Sequence, residues 1–306
     1  MKKIEVVIPV HNRKDYTRQC LESLAGADTN EFELHVIVVD DGSTDGTAEM
    51  LASDFPDISI IKGDGNLWYT AATNRGFEAA LLKCPDYILA CNDDVRFAPD
   101  AIERLFRTAE EHQRSVVGAL LLNWQDEEKV MQVSPQWRVA YGGFRHWYRQ
   151  TIHTVPNLPW RVEAIVGNCV LYPAAAIRKA GLMDEKNLVQ YGDAEYTPRL
   201  RRRGWVLLID PRARVFTEPN KPIKGFRQMT LTQKFQACFF SPGGQYSFRR
   251  RVYMTLGGAP NTAAGLLALG VFAVRAAFGR TFENSWAVER PEKPLKDVVA
   301  GQVVKG

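Results

Sequence analysis

The run Tyr87-Ile88-Leu89-Ala90-Cys91, followed at once by Asn92-Asp93-Asp94, constrains this chain more than any other stretch. Five successive apolar residues suit a strand buried on both faces of a parallel sheet, which has no solvent face to mark with alternating polar positions. Open sheets of that kind bind ligands beyond the carboxyl ends of their strands, and the three polar residues stand at such an end. Adjacent carboxylates repel each other, so a cation or a set of hydrogen-bond donors is expected beside them. A hard ion such as Mg²⁺ or Mn²⁺, held by one or two carboxylates and a substrate's phosphates, fits that chemistry. An acidic turn capping a helix that starts near Pro99-Asp100 fits the same residues, and the stretch alone leaves both readings open.

The preceding sequence repeats the same theme. A β-branched run over 4–10 ends in Pro9 and His11-Asn12, and residues 15–24 carry Tyr16, Cys20 and Leu24 four apart, on one face of a helix. A second strand over 32–39 also ends in acids, Asp40-Asp41-Gly42-Ser43-Thr44-Asp45, where glycine permits a tight turn and Thr44 or Asp45 can cap the next helix. A strand over 58–61, a glycine- and aromatic-containing loop over 63–69 and a helix over 71–82 follow. This alternation predicts a Rossmann-like, mostly parallel α/β sheet with right-handed crossovers. Neither Gly-x-Gly-x-x-Gly nor a Walker loop is present, which argues against an ordinary dinucleotide site or a P-loop.

Beyond a helix over 99–113 and a strand over 116–122, the stretch 124–160 turns aromatic and irregular. It holds Trp124, Trp137, Trp147 and Trp160, four of the seven tryptophans, with Tyr141, Phe144 and Tyr148. These residues suit either a second small core or a platform on which sugar rings stack. Strand-like character returns over 164–172, then a helix over 174–180. Gly192-Asp193-Ala194-Glu195 opens a basic helix ending at Gly204, and a strand covers 205–209. Both acids stand at a helix N-terminus, where the dipole favours negative charge, so Asp193 is expected to have a lowered pKa. Glu195 reads more readily as a cap. The flexibility of Gly192 is expected to help bring Asp193 close to a ligand.

Composition narrows the function classes. The 306 residues, 45% hydrophobic and 24% charged, describe an ordinary globular protein, and a net charge of +4 gives no basic face of the size that nucleic acid requires. Five scattered cysteines without metal-ligand spacing point to reduced thiols and a cytoplasmic protein. The chain enters its first strand directly, without a signal-peptide core, and no apolar run reaches the ~20 residues of a spanning helix.

With these pieces in order, the sequence resembles the family-2 glycosyltransferases of the GT-A fold over about residues 4–218. The resemblance rests on Val-Val-Ile-Pro-Val-His-Asn-Arg (6–13), Val-Val-Asp-Asp-Gly-Ser-Thr-Asp (38–45), Asn66-x-Trp68 with Thr73-Asn74-Arg75-Gly76, Asn92-Asp93-Asp94, and Gly192-Asp193-Ala194-Glu195 before Arg199. It implies a nucleotide-sugar pocket containing Pro9, His11, Arg13, Asp41, Asn66, Trp68, Asn74 and Asp93, with Asp41 at the base and Asp93 near the ribose or sugar. It also implies a divalent-metal site, Mg²⁺ or Mn²⁺, on Asp94. Asp193 matches the general base of inverting members. Where many members place a metal-binding histidine, this chain has Thr217 and Glu218, so Glu218 is the candidate replacement. The Asn66-x-Trp68 loop is similar to bacterial rhamnosyltransferase-like members, which implies dTDP-rhamnose as donor and a saccharide or lipid-linked saccharide acceptor in surface polysaccharide synthesis. The alternatives are a non-catalytic sugar- or nucleotide-binding protein on the same scaffold, or a nucleotidyltransferase. The latter would want a glycine-rich first loop, which residues 11–15 lack.

The expected organisation is a catalytic domain over 1–224 and a helical extension over 225–306. The extension carries an apolar run over 263–274 near the arginines 249–251, 275 and 280. That combination suits a helix lying at the inner face of a membrane, and equally one packed on the catalytic domain or a second subunit. Charges, prolines and glycine from 289 onward predict a frayed end.

Overall fold

The computed structural model describes residues 1–133, 135–147, 149–218, 226–241, 243–277 and 294–305. Its first half follows the alternation in the sequence. Strands β1 (Lys2–Val10), β2 (Phe32–Asp40), β3 (Ser59–Lys62) and β4 (Tyr87–Cys91) lie parallel in the order β3-β2-β1-β4. Helices α1 (Lys14–Ala25), α2 (Thr47–Asp54) and α3 (Trp68–Leu82) connect them. Every residue of β4 is buried, as an apolar run between two layers requires. Pro9 sits in a central strand without cost, because the β1–β4 pairing ends at Val7↔Ala90 and no partner needs the missing N–H.

The second half is less regular than a parallel reading anticipates. After β5 (Val95–Phe97), α4 (Ala101–Glu111) and β6 (Ser115–Asn123), strand β11 (Cys169–Pro173) inserts antiparallel between β4 and β6. Residues 164–168, expected as the first part of that strand, form the loop leading into it. Strand β12 (Val206–Thr217) pairs parallel with β6 and joins the expected strand at 205–209 to the 214–216 segment through a register shift between Asp210 and Arg214. Pro211 stands at that irregularity, where a ladder donor is dispensable. Two cores flank the sheet, one holding Val7, Phe77, Tyr172 and Tyr196, the other Ile8, Leu21, Leu51 and Ile102.

Small strands β7 (Val130–Gln132), β8 (Gln136–Arg138), β9 (Gly143–Arg145) and β10 (Trp160–Arg161) fill the aromatic stretch. Trp137, Trp147 and Trp160 are buried there, which favours the core reading for those three, whereas Trp124 is partly exposed and Tyr141 exposed. Tyr148 lies outside the described residues. Helices α5 (Ala174–Ala180) and α6 (Asp193–Arg202) close the site end of the fold.

Helices α7 (Leu231–Phe239), α8 (Phe248–Gly258) and α9 (Thr262–Ala277) make up the described part of the extension. None of the helices is long and apolar enough to cross a membrane among the described residues. The arginine runs prove to be mostly internal fasteners. Arg202 donates to the carbonyls of Gly257 and Ala259, Arg203 to that of Lys179, and Arg249 to Lys186 O and Asn187 Oδ1. Arg251 lies over the Phe272 ring at 4.7 Å, and burial lowers its pKa to about 10. Residue 280 and the 224/225 boundary lie outside the described residues.

The end of the chain corrects the expectation of fraying over the residues that are described. Helix α10 (Leu295–Val298) returns to the main core with Leu295 and Val299 buried, and Val303 bridges to Trp160. Leu295 N donates to Gln150 Oε1 at 3.0 Å, and Val304 N to Pro159 O at 2.8 Å. Charge content alone reads as solvated, but two well-spaced apolar residues anchor the segment. Leu295→Ala is expected to destabilise the protein by about 2–5 kcal/mol, the range for a buried leucine in a core that cannot collapse around the hole. Urea unfolding of the two proteins measures it.

Candidate active site

The carboxyl ends of β1, β2 and β4 converge, and polar contacts stitch their loops together. Asn12, at φ 53°, donates its N–H to Ser43 Oγ at 2.9 Å, while Thr44 N donates to Asn12 Oδ1 at 2.7 Å. His11 Nδ1 lies 2.6 Å from Asp41 O, and its Nε2 lies 3.0 Å from Asn12 Nδ2. Because the carbonyl can only accept and the amide nitrogen only donate, the proton sits on Nδ1.

Asp41 is the organiser of the next loop. Its carboxylate accepts from Gly65 N at 2.8 Å, Leu67 N at 2.9 Å and Trp68 N at 3.1 Å. These bonds hold Trp68 at φ 57°, a conformation that costs a non-glycine residue about 1–2 kcal/mol, and leave its ring half-exposed. Asn66 makes a local turn, its backbone N–H donating to Asp64 Oδ1 at 3.0 Å. Asn74 is different. It is buried, and its amide joins Met183 and Glu185: Nδ2 donates to Met183 O at 3.0 Å and to Glu185 Oε2 at 2.7 Å, while Oδ1 accepts from Met183 N at 2.9 Å. Its visible contacts are to the protein frame.

Arg13 crosses to the end of β4. Its Nη1 stands 3.2 Å from Asp93 Oδ1 and its Nη2 2.8 Å from Asp94 Oδ2, with the guanidinium 5.0 Å over the Tyr16 ring. Burial pushes the Asp93 carboxyl up to about 7, against the pull of Arg13 and with the help of neighbouring Asp94. Asp93 Oδ2 and Asp94 Oδ1 are buried with no hydrogen-bond partner. Two unpartnered carboxylate oxygens on a hard donor set suit a divalent cation that takes its remaining ligands from phosphate and water. Glu218 is not brought onto this pair by its own contacts: its carboxylate accepts the Tyr16 hydroxyl. Among the described residues no three His, Cys, Asp or Glu side chains form a cluster suited to a metal.

Asp193 opens α6 on the other side. Its Oδ2 accepts from Gly167 N at 2.9 Å, and Tyr69 donates its hydroxyl to Gly167 O at 3.3 Å. Burial raises the Asp193 carboxyl to about 6, against the backbone N–H groups of Gly167 and the helix start that favour its charge. The lowered pKa expected from the helix dipole is thereby reversed, because desolvation outweighs the N-terminal donors. The structure gives Gly192 a steric role in place of the expected flexibility. Its φ of −59° is ordinary helix, and a Cβ there would lie 2.6 Å from Thr70 Cγ2.

Glu195 turns away from Asp193 and pairs with Arg199 Nε at 3.0 Å, while Gly257 covers it. Arg199 also ties α6 to Ala180 O and Leu182 O. The backbone connects the two acidic sites: Asn92 N donates to Asn168 O at 3.0 Å, one residue before Asp93 and one after Gly167. Tyr69, Gly167 and Asn168 were invisible as site residues in the sequence, since their roles depend on β11 lying against β4. A Cβ on Gly167 would run into the Tyr69 hydroxyl and lie 2.9 Å from Asp193 Cβ. Gly167→Ala is therefore expected to displace Asp193 and lower kcat on the order of 10²-fold, with donor affinity retained. Steady-state kinetics alongside nucleotide titration separates the two effects.

The glycosyl transferase family 2 profile matches residues 5–180, more than half of the chain. The chain belongs to glycosyl transferase family 2. Among its relatives, the N-acetylglucosaminyl-diphospho-decaprenol L-rhamnosyltransferase of Mycobacterium tuberculosis is 24% identical over 69% of this chain and 75% of its own length. The undecaprenyl-phosphate 4-deoxy-4-formamido-L-arabinose transferase of Proteus mirabilis is 36% identical over 41% of this chain and 39% of its own. A crystal structure of GalNAc-T7 with UDP, GalNAc and Mn²⁺ superposes with a TM-score of 0.61 at 13% identity, over 92% of this chain and 58% of that one. The fold of this family member is GT-A.

Proposed function

We propose that this glycosyltransferase inverts the anomeric centre as it moves a sugar from a nucleotide-diphosphate sugar, dTDP-rhamnose in particular, to a lipid-linked saccharide during surface polysaccharide synthesis. The observation that carries the mechanism is Asp193, a buried carboxylate with a pKa near 6 held by Gly167 N–H across the Asn92–Asn168 contact from the Arg13–Asp93–Asp94 group. A base that accepts a proton at neutral pH works best with a pKa near the operating pH. The acceptor oxygen forms the new bond to the anomeric carbon, and its proton passes to Asp193. The bond from that carbon to the diphosphate oxygen breaks, and its electron pair leaves with the nucleotide.

Arg13 supports the departing charge directly, and its contacts to Asp93 and Asp94 keep it aimed there. Asp94, with Asp93, would hold Mg²⁺ or Mn²⁺, which supplies Lewis-acid stabilisation of the diphosphate when bound. Pro9, His11, Asp41, Asn66 and Trp68 line the donor side, with Asp41 fixing the Trp68 ring and Asn74 bracing that wall from behind. Support for the donor and acceptor comes from the relatives: one is a rhamnosyltransferase, and both are named for polyprenyl-linked substrates. Five free cysteines suit the cytoplasm. The test is to offer a panel of nucleotide sugars with a lipid-linked N-acetylglucosamine acceptor and read the product's anomeric configuration by NMR. Inversion with dTDP-rhamnose preferred is expected. A product of retained configuration would remove Asp193 as a general base.

A further inference from the structure

Helix α7 carries Leu231, Phe235 and Phe239 four residues apart, so all three lie on one face. A stripe of that kind normally faces a core. Here it does not, since α7 has no buried residue. Phe235, Phe239 and Phe240, with Phe248 at the start of α8, are between 53% and 70% exposed. They hold one another in a continuous ledge, with ring centroids 5.1 Å apart for Phe235–Phe239, 5.7 Å for Phe235–Phe240 and 6.3 Å for Phe239–Phe248. Exposed aromatic rings gathered in one patch mark an interaction surface more strongly than the same rings scattered.

The charge around the ledge indicates what it meets. From residue 226 to 248, the stretch that carries the ledge, the sequence contains Arg227 and Lys234 and no Asp or Glu, although the chain has 35 acids elsewhere. Lys234 lies on α7 itself, 5.6 Å over the Phe226 ring. Apolar rings set in an acid-free, basic segment complement an anionic lipid surface, where rings enter the headgroup boundary and cations stay at the phosphates. At nine residues α7 is far too short to span a bilayer, so it would lie in the interface plane.

The ledge is also continuous with the site. Gly243, in the connection from α7 to α8, packs against the Trp68 ring and Gln190. Arg250 lies 4.3 Å over the Tyr191 ring, two residues before Asp193. We propose that the Phe235–Phe239–Phe240–Phe248 ledge seats this enzyme on anionic membrane, placing the Asp193 side of the site at the surface where a lipid-linked acceptor resides. This moves the membrane contact from the arginine runs, which are engaged internally, to α7. The acceptor part rests on the proposed function, but the seating itself does not.

The full chain is centrifuged with vesicles of equal parts phosphatidylglycerol and phosphatidylcholine, and with phosphatidylcholine alone. Binding to the anionic vesicles, weakened by salt, is expected for wild type. The triple variant Phe235→Ser, Phe239→Ser, Phe240→Ser should lose on the order of 10²-fold or more in partitioning, since each ring leaves apolar contact. Its thermal unfolding should match wild type, because the rings are outside the core. Lys234→Glu, which keeps every ring, should weaken binding several-fold. Failure of wild type to bind anionic vesicles overturns the proposal, as does a triple variant that binds like wild type. A wild-type dimer that the triple variant dissociates would assign the ledge to a second copy and overturn it too. Transfer to a short-chain, water-soluble acceptor is measured in parallel. Vesicle binding without any transfer would sink the enzymatic reading and leave the seating intact.

Discussion

Asp193→Asn is expected to lower sugar transfer by about 10²–10⁴-fold, the range for removal of a general base. The substitution is nearly isosteric and keeps an oxygen for the Gly167 N–H, so the donor pocket and the fold should survive. Nucleotide affinity should change little. Glu195→Gln, two residues away, should lose far less activity, because Glu195 is paired with Arg199 rather than presented beside Gly167. Near-normal transfer by the Asp193 variant, together with a collapse in the Glu195 variant, would exchange the two roles.

The same carboxyl makes two pH predictions of opposite usefulness to the protein. Its folded pKa near 6 stands above the ordinary 3.8. As the proposed base the carboxyl acts in its unprotonated form, so transfer should fall as pH drops through about 6 and level off above it. For stability the sign reverses. The folded state binds this proton more tightly than the unfolded state does, so the ionised group is destabilising above pH 6, and that cost disappears as pH falls towards 3.8. The difference corresponds to about 3 kcal/mol as an upper figure. Asp193→Asn should therefore raise Tm at pH 8 while lowering turnover, and should gain little at pH 4. A variant less stable than wild type at pH 8 would show that the carboxylate is held for structure and not against its own solvation.

How far such a site can be read from sequence depends on where its partners lie. β1, β2 and β4 are legible because each ends an apolar run in polar residues within a few positions, and the loops at 11–13, 41–45 and 92–94 identify one sheet end. The antiparallel insertion of β11 is not legible. Ala164-Ile165-Val166 looks like the start of a strand, but Ile165 N and O both meet Thr197 Oγ1, which turns the segment into the wall under Asp193. The direction of the Asp193 pKa fails for a related reason: the helix start is local and visible, while the burial comes from residues far along the chain. The arginine runs look solvent-facing because their acceptors, the carbonyls of Lys179, Gly257 and Ala259, carry no sequence signature. The α7 ledge is illegible for the opposite reason, since its leucine and phenylalanines have the spacing of an ordinary core helix and only the fold shows them exposed among the described residues.

Asp94→Asn is expected to be the second large loss, and its value lies in separating two sources of positive charge at the diphosphate. In the wild-type arrangement Arg13 touches both carboxylates, while Asp93 Oδ2 and Asp94 Oδ1 remain unpartnered. Removing one negative charge leaves Arg13 held by Asp93 but takes away half of the donor set for a hard cation. Nucleotide binding without metal should persist through Arg13 and the first-strand loop. The additional stabilisation that Mn²⁺ gives to the nucleotide complex should vanish. For wild type that gain is readable as a rise in Tm, because a ligand present at 100 times its Kd stabilises the folded state by about 2.7 kcal/mol. Transfer by the variant should fall by roughly 10²-fold or more, the scale for losing a preorganised charge at the leaving group. If wild type and variant bind nucleotide equally well with and without Mn²⁺, and transfer is unchanged by chelator, then Arg13 alone supports the leaving group and Asp93 and Asp94 serve to aim it.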